Sequence, residues 1–307
     1  MVRKLPEGVK KGLVKPLFPR YNRCEMGTQI RQPIVAGAFY PSDPSELSRL
    51  LDSLLGEDLA PAAAPLPGPA GLVVPHAGYP YSGAVAGAGF RAIAERGSPK
   101  TVILLGANHT GFGRTVSLGD YAGWETPLGV VRSNAELIRQ LAESGLPIDN
   151  SAFIREHSLE VELPFIVRLW GDSVTLVPIC VLSSGDWGAY KEAGRLIAEA
   201  VADRPILIAA SSDFTHYEPD RLARSLDRSA IEKILALDGE GFIEEWMRRR
   251  LSICGAGAIA TLIAASERLE LTGGTLLDYR TSGDATGDRS TVVGYAAISF
   301  LKEASDD

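Results

Sequence analysis

The order of apolar and polar positions along the chain predicts strands that alternate with helices. Short apolar runs typical of buried strands occur at Leu72–Val74, Val102–Leu105, Thr175–Val181, Ile206–Ala210 and Thr291–Phe300. Helix-length segments, most with apolar residues three or four apart, lie at Gly83–Glu95, Asn134–Ser144, Glu156–Trp170, Asp186–Ala202, Pro219–Leu237 and Gly255–Arg268. This alternation predicts an α/β fold in which a central, largely parallel sheet is covered by helices on both faces.

Two further local patterns predict an early helix and an inserted hairpin. The run Asp43-Pro44-Ser45-Glu46 supplies an N-cap, a proline at the first helical position and a glutamate at the third, ahead of leucines at helical spacing. Residues Thr115–Leu118 and Gly129–Arg132 flank a turn-rich stretch. We expect these two segments to form a hairpin between the second and third main strands.

The patterning also predicts how the chain is organised. Residues 1–28 show neither a helical nor a strand period and are predicted to be an unpatterned basic N-terminal tail. A Pro- and Ala-rich stretch at residues 60–70 reads as a connecting loop, because strand and helix patterns resume directly after it. Residues 29–307 are therefore predicted to form one domain, although 307 residues would be enough for two.

Composition and charge exclude several classes of protein. The 31 Lys and Arg residues are outnumbered by 38 Asp and Glu, and the net charge of −7 argues against nucleic acid as a partner. The uncharged stretch 59–90 holds six prolines, so we expect no membrane span. The first 25 residues lack the apolar core of a secretion signal, which predicts a cytoplasmic protein. Cys24, Cys180 and Cys254 are too few and too scattered for a disulfide framework or a closed zinc site.

The four histidines of the chain suggest where its chemistry lies. His76, His109 and His216 each follow the end of a predicted strand by six residues or fewer. Open α/β sheets bind ligands at that edge. The fourth, His157, has carboxylates on either side at the start of a predicted helix, and a capping or supporting role is favoured over direct ligation.

Other residues near these histidines carry reactive groups. Asp213 precedes His216 by three residues, a spacing that suits an acid and base pair or a hydrogen-bonded structural pair. Cys254 lies ahead of a small-residue helix whose N-terminus would favour the thiolate. Two imidazoles and one thiolate or carboxylate would form an open metal site, whereas a Cys–His pair would suggest a thiol nucleophile. Spacing alone leaves both open.

Several motifs in this order resemble the Memo family from about Arg31 to Phe300. They are Ala36–Pro41, Pro75–Tyr79, Trp124–Gly129, Glu156–Val161, Ser211–Phe214, Cys254-Gly255 and Val293–Ala296. The family includes the mediator of cell motility and a prokaryotic protein associated with a radical SAM partner and an AMMECR1-like protein. Such partners, and a small-molecule substrate, are what the resemblance implies for this chain.

The resemblance also implies a fold and a site. Memo proteins are similar in fold to class III extradiol dioxygenases, so a three-layer α/β/α sandwich with its site at the strand ends is expected. His76, His109 and Cys254 would be the metal ligands, with His216 as acid or base and Asp213 beside it in the pocket. The dioxygenases hold ferrous iron with two histidines and a carboxylate, whereas the third ligand here would be Cys254. Iron or copper is expected, with zinc as a further option.

Two functions of different classes follow from these expectations. The first is a metal-dependent oxidoreductase of the extradiol dioxygenase type with a His/His/Cys site. The alternative is a metal-binding or adaptor protein with a vestigial dioxygenase pocket that docks a protein partner. A zinc hydrolase is a third reading.

Overall fold

A computed structural model describes residues 27–302 of the chain. Most of the predicted N-terminal tail, residues 1–26 with Cys24, lies outside the described residues. The assignment of residues 29–307 to a single domain stays a prediction.

Two sheets contain the strands of the described residues. In chain order the strands are β1 (Ile30–Arg31), β2 (Ala70–Val74), β3 (Thr101–Ala107), β4 (Val116–Leu118), β5 (Gly123–Thr126), β6 (Gly129–Arg132), β7 (Thr175–Val181), β8 (Ile206–Ser211), β9 (His216–Glu218), β10 (Thr275–Thr281) and β11 (Val292–Leu301). The main sheet has the spatial order β10-β11-β2-β8-β3-β7-β4, and β9 pairs with β11. The central strands β2, β8, β3 and β7 run parallel, while β4, β10 and β11 pair antiparallel at the sides. All five predicted main strands lie in this sheet.

Helices cover both faces of the main sheet. They are α1 (Pro44–Leu55), α2 (Tyr79–Arg96), α3 (Ala135–Ser144), α4 (Leu163–Trp170), α5 (Trp187–Val201), α6 (Asp220–Leu235), α7 (Gly239–Arg249), α8 (Ala256–Arg268) and α9 (Ser282–Thr286). One core forms under α1, α2 and α4, and a second under α3, α5, α6, α7 and α8. Along β3, Val102 and Leu104 face the first core while Ile103 and Leu105 face the second. The fold is therefore the predicted three-layer α/β/α sandwich.

The two segments that were predicted to form a hairpin do not pair with each other. β4 joins the main sheet beside β7, and β6 instead pairs with β5 in a small three-stranded sheet that includes β1. The turn between β5 and β6 is fixed by Thr126, whose hydroxyl donates to Gly129 O and accepts from Leu128 N. Gly129 has a φ of +134°, which a residue with a side chain rarely adopts.

The helix predicted over Glu156–Trp170 begins later than expected. Pro164 lacks the N–H that a helix interior needs, so it occupies the first turn and α4 starts at Leu163. A single 3-10 turn covers Glu160–Glu162, and the chain before that turn is a loop. This loop carries Glu156 and His157 back toward the strand ends.

Candidate metal centre

The carboxyl ends of three neighbouring parallel strands place the site at one edge of the sheet. His76 follows β2, Asp213 follows β8 and His109 follows β3. Because these strands lie side by side in the order β2-β8-β3, their following loops converge on one point. The edge predicted from the histidine positions is therefore where these three side chains meet.

Three imidazoles gather at this point. One ring nitrogen from each of His76, His109 and His157 lies within 4.8 Å of the other two. The ring centroids are 5.2 Å apart for His76 and His109, 5.5 Å for His76 and His157, and 4.7 Å for His109 and His157. Imidazole nitrogens of one transition-metal site lie about 2.1 Å from the ion, so small shifts would bring all three onto one ion. The cluster thus has the donors and the spacing that a metal ion requires.

Cys254 lies beside His76 at the edge of this cluster. Its Sγ is 3.3 Å from His76 Nε2 and accepts a hydrogen bond from Asp213 N at 3.2 Å. Burial, followed by the nearby Asp213 carboxylate, raises the pKa of the Cys254 thiol well above its ordinary range. Burial therefore opposes the thiolate that the sequence predicted from the start of α8, because the loss of water outweighs the favourable helix N-terminus. A bound cation reverses this preference. The predicted ligand set His76, His109 and Cys254 stays a prediction.

A buried carboxylate orients His109. Glu156 Oε1 accepts from His109 Nδ1 at 2.9 Å and from the amides of His157 and Ser158, while Oε2 accepts from His109 N. Burial opposes ionisation, but these bonds outweigh it and lower the pKa of Glu156 to about 2. For His109, burial alone would lower the pKa, but the hydrogen bond and the charge of Glu156 outweigh burial, and the pKa is raised. His109 therefore carries its proton on Nδ1 when neutral and leaves Nε2 free as a ligand.

A proton count around one serine fixes the state of His76. The Ser211 hydroxyl lies 2.8 Å from His76 Nδ1, 2.8 Å from Ser158 O and 2.7 Å from Glu162 Oε1. It has one proton to give, and the Ser158 carbonyl can only accept. If all three contacts are to be hydrogen bonds, His76 Nδ1 and Glu162 must both donate to Ser211. Glu162 is therefore a neutral acid. Burial lowers the pKa of His76 well below its ordinary value, so the ring with its proton on Nδ1 is neutral and presents an unprotonated Nε2 to Cys254.

Two other observations agree with a neutral Glu162. The residue is fully buried and its Oε2 has no hydrogen-bond partner, which an ionised carboxylate would tolerate poorly. Burial also raises the pKa of Glu162 well above its ordinary value. The site thus contains one ionised glutamate behind His109 and one protonated glutamate behind His76.

Replacing Glu162 by glutamine is expected to remove part of the pH dependence of stability. Above about pH 5 the unfolded chain loses a proton that the folded chain retains at Glu162. The wild-type free energy of unfolding should therefore fall as pH rises from 5 to 7, by up to about 1.4 kcal/mol per pH unit from this group. Urea denaturation at several pH values measures it. Parallel pH profiles for wild type and Glu162→Gln would contradict a neutral Glu162.

His216 and Asp213 occupy the same edge but are not hydrogen-bonded to each other. His216 Nδ1 donates to Ser252 O at 2.7 Å, which leaves Nε2 free. Asp213 Oδ1 accepts from the backbone amides of His76 and Ala77 at 2.9 and 3.3 Å. Burial raises the pKa of Asp213 to about 6, against the opposing charge of His216. Asp213 therefore anchors the loop that carries His76, and His216 has a free nitrogen for proton transfer.

The three histidines form the floor of an open cleft. The cleft has a volume of about 650 Å³, and its lining includes Asp213 and His216. Phe39 and Tyr295 contribute to its walls. The ring centroids of Phe39 and His157 are 5.0 Å apart. A cavity of this size is in the range that holds a small organic molecule. We call this cavity the histidine cleft.

Comparison with known proteins places the chain in a family. A family model described as Memo-like protein matches residues 31–299. The chain belongs to the Memo family. MEMO1 family protein MK0963 of Methanopyrus kandleri is 43% identical over 281 residues, which is 89% of this chain and 99% of that protein. A MEMO1 family protein of Nitrosopumilus maritimus is 40% identical over 276 residues, covering 89% of this chain and all of that protein.

A solved structure shares the fold of this Memo-family chain. The crystal structure of the uncharacterized protein JW3007 from Escherichia coli K12 aligns with a TM-score of 0.54 at 14% identity. The alignment covers 75% of this chain and 98% of that chain. At this identity the likeness concerns the fold alone. Among residues 27–302, each helix falls short of the length or the apolar character needed to cross a bilayer.

The sequence favoured a capping or supporting role for His157 over direct ligation, and that choice stays a prediction. His157 does not follow a strand: it lies on a loop between α3 and α4, and its ring joins those of His76 and His109. The loop reaches the site because Glu156 binds both the backbone and the ring of His109. The usable signal was the glutamate next to the histidine, since buried carboxylates commonly orient the histidines of metal sites.

Proposed function

We propose that this Memo-family chain is a metal-dependent oxidoreductase of the extradiol dioxygenase type that uses iron or copper. The observation that supports it is the cluster of three imidazoles on the floor of the histidine cleft, with the Cys254 thiol beside His76. Imidazole with a soft sulfur ligand suits iron and copper as well as zinc. The open cleft above the cluster leaves room for a substrate.

Two imidazoles and one sulfur would hold the ion. His76 and His109 each have Nε2 free, because Nδ1 is engaged with Ser211 and Glu156 respectively. Cys254 would bind as the thiolate, and His157 adds a neighbouring imidazole whose pKa is lowered by burial. When bound, iron or copper supplies the redox chemistry that amino-acid side chains lack.

The remaining residues of the cleft would manage protons and water. His216 uses Nε2 to take or return a substrate proton, while its Nδ1 stays bound to Ser252 O. Asp213 keeps the His76 loop in place through two backbone amides. The Phe39 and Tyr295 side chains line the cleft and limit the water around the reacting atoms.

Anaerobic loading with ferrous, cupric or zinc ions, followed by metal analysis and oxygen-uptake assays with catechols, tests the proposal. Wild type is expected to hold one ion per chain, and the iron or copper form to consume oxygen. Cys254→Ala and His109→Ala should lose at least about tenfold in metal affinity. Cys180→Ala is the matched control, because Cys180 is buried in β7, outside the histidine cleft.

The same assays separate the oxidoreductase from the alternative. Tight iron or copper binding without oxygen uptake for any catechol would contradict the enzyme and favour the metal-binding or adaptor protein. Equal metal affinity in wild type and Cys254→Ala would remove Cys254 from the ligand set. His157→Ala, measured alongside, tells whether the third imidazole takes its place.

A further inference from the structure

The described lining of the histidine cleft contains aromatic rings and carboxyl groups but neither lysine nor arginine. Four aromatic side chains line it: Phe39, Tyr81, Tyr217 and Tyr295. Within residues 27–302, no lysine or arginine lines the cleft, and its carboxyl groups are Asp213, whose pKa is raised by burial, and Asp288. Proteins usually recognise the carboxylate or phosphate of a ligand with arginine, lysine or free backbone amides. The described walls offer neither of these cations.

In the described part of the chain, the long helix that begins at the cleft is α2, and the amides of its first turn are not free. Gly78 precedes α2 and lines the cleft. The amide of Tyr79 donates to Phe39 O, the amides of Tyr81 and Ser82 donate to Gly78 O, and Pro80 has no N–H. The first turn of α2 is therefore already satisfied and is not an anion site.

Tyr217 combines an unfavourable backbone conformation with an exposed side chain. Its φ of +61° lies in the left-handed region, which is unfavourable for a residue with a Cβ. Its side chain is 77% exposed, so the ring gains little from burial in the chain. The ring lies next to that of His216, with 5.8 Å between centroids, and lines the cleft. This position suits a ring that stacks on a bound ligand.

Asp288 places an unpaired negative charge on the same cleft. Its carboxylate accepts from the Ser290 amide and hydroxyl, and these hydrogen bonds lower the pKa of Asp288. The neighbouring Arg289 is held by Asp220 and Asp284. In the described part of the chain, no cation lies within ion-pair distance of Asp288. An anionic ligand would meet repulsion there, and a cationic one attraction.

We propose that the histidine cleft takes uncharged or positively charged aromatic molecules and rejects anionic ones, with Tyr217 stacking on the ligand ring and Asp288 selecting its charge. The inference deepens the proposed function and rests on it, because the ion on the cleft floor is taken to hold the reacting end of the ligand. It concerns the substituent far from that end.

Equilibrium binding to the zinc-loaded protein tests the charge preference without redox turnover. The probes are catechol, dopamine and 3,4-dihydroxybenzoate, which share one diol and differ in the charge of the substituent. Dopamine is expected to bind at least about tenfold more tightly than 3,4-dihydroxybenzoate. Asp288→Asn should shrink this ratio and Asp288→Lys should reverse it. Asp203→Asn is the matched control, because Asp203 is exposed just before β8, at the opposite edge of the sheet.

A glycine at position 217 separates a ligand-binding role from a structural one. Tyr217→Gly removes the ring and also relieves the left-handed backbone. Its Tm should equal or exceed that of wild type, while its affinity for catechol should fall by at least about threefold. Unchanged affinity in Tyr217→Gly would remove the stacking role.

Three results would overturn the inference. They are equal affinity for dopamine and 3,4-dihydroxybenzoate, an unchanged order of affinities in Asp288→Lys, and failure of all three probes to bind. Zinc content, measured on the same samples, shows which proposal fails. Bound zinc without the charge order contradicts this inference alone, whereas a protein that holds neither zinc nor, in the loading experiment, iron or copper contradicts the proposed function and this inference together.

Discussion

Replacement of Arg31 by methionine is expected to lower the free energy of unfolding by about 3–5 kcal/mol. Arg31 is 6% exposed and its partner Glu160 is fully buried, with 2.9 Å between Nη1 and Oε2. The guanidinium also donates to Phe153 O and Glu156 O and lies 4.3 Å from the Trp124 ring centre. Methionine fills much of the space but leaves the Glu160 carboxylate without its cation.

The effect of Arg31→Met should reach the metal centre as well. The carbonyls that Arg31 binds belong to the loop that carries Glu156 and His157. Glu160 in turn accepts from the amides of Ile34 and Val35 and so holds the segment that precedes Phe39. The loss of one cation therefore loosens both segments that frame the histidine cleft.

Urea denaturation measures the effect of Arg31→Met on stability. Arg139→Met is the control, because Arg139 pairs with Glu136 and Glu143 on the exposed face of one helix and should cost less than about 1 kcal/mol. Similar losses of unfolding free energy in Arg31→Met and Arg139→Met would contradict a larger contribution from the buried ion pair.

Replacement of Glu156 by glutamine is expected to weaken metal binding by about 10- to 100-fold. The ionised carboxylate accepts on both oxygens, from the His109 ring and from three backbone amides. A glutamine would have to place its NH2 group against one of those donors. The variant also loses the negative charge that makes His109 Nε2 a stronger ligand.

Isothermal titration with zinc compares Glu156→Gln with Glu162→Gln as a matched control. Both residues are fully buried glutamates, Glu156 behind His109 and Glu162 behind Ser211 and His76. Glu162 is already neutral by the proton count at Ser211, so its replacement should change zinc affinity by less than about threefold. Equal losses in the two variants would contradict the assignment of opposite charge states.

Much of the fold was predictable because its elements carry local signals. The apolar run Thr175–Val181 is β7 to the residue, and Asp43 caps α1 by accepting from the amide of Glu46. The hairpin was mispaired because the partners of β4 and β6 are chosen by tertiary contacts, not by the sequence between them. Pro164 could have indicated the late start of α4. The helical spacing of the apolar residues before it instead led to a predicted start at Glu156.

The site was predictable only where it follows the strands. His76 and His109 lie close together, as expected, because β2 and β3 flank β8 in the parallel part of the sheet. Placing His157 in the site would have required knowing that Glu156 is buried against His109. These two residues are 47 positions apart in the sequence, so no local pattern predicts their contact. The raised pKa of Cys254 depends on burial of the thiol, and neighbouring residues in the sequence carry no information on that burial.

Anomalous diffraction from crystals loaded anaerobically with ferrous iron tests most directly whether the histidine cleft holds a catalytic ion. We expect one peak at the iron edge, with Nε2 of His76, Nε2 of His109 and Sγ of Cys254 as its protein ligands. A peak elsewhere in the molecule, or one whose ligands include neither His76 nor His109, would contradict this expectation.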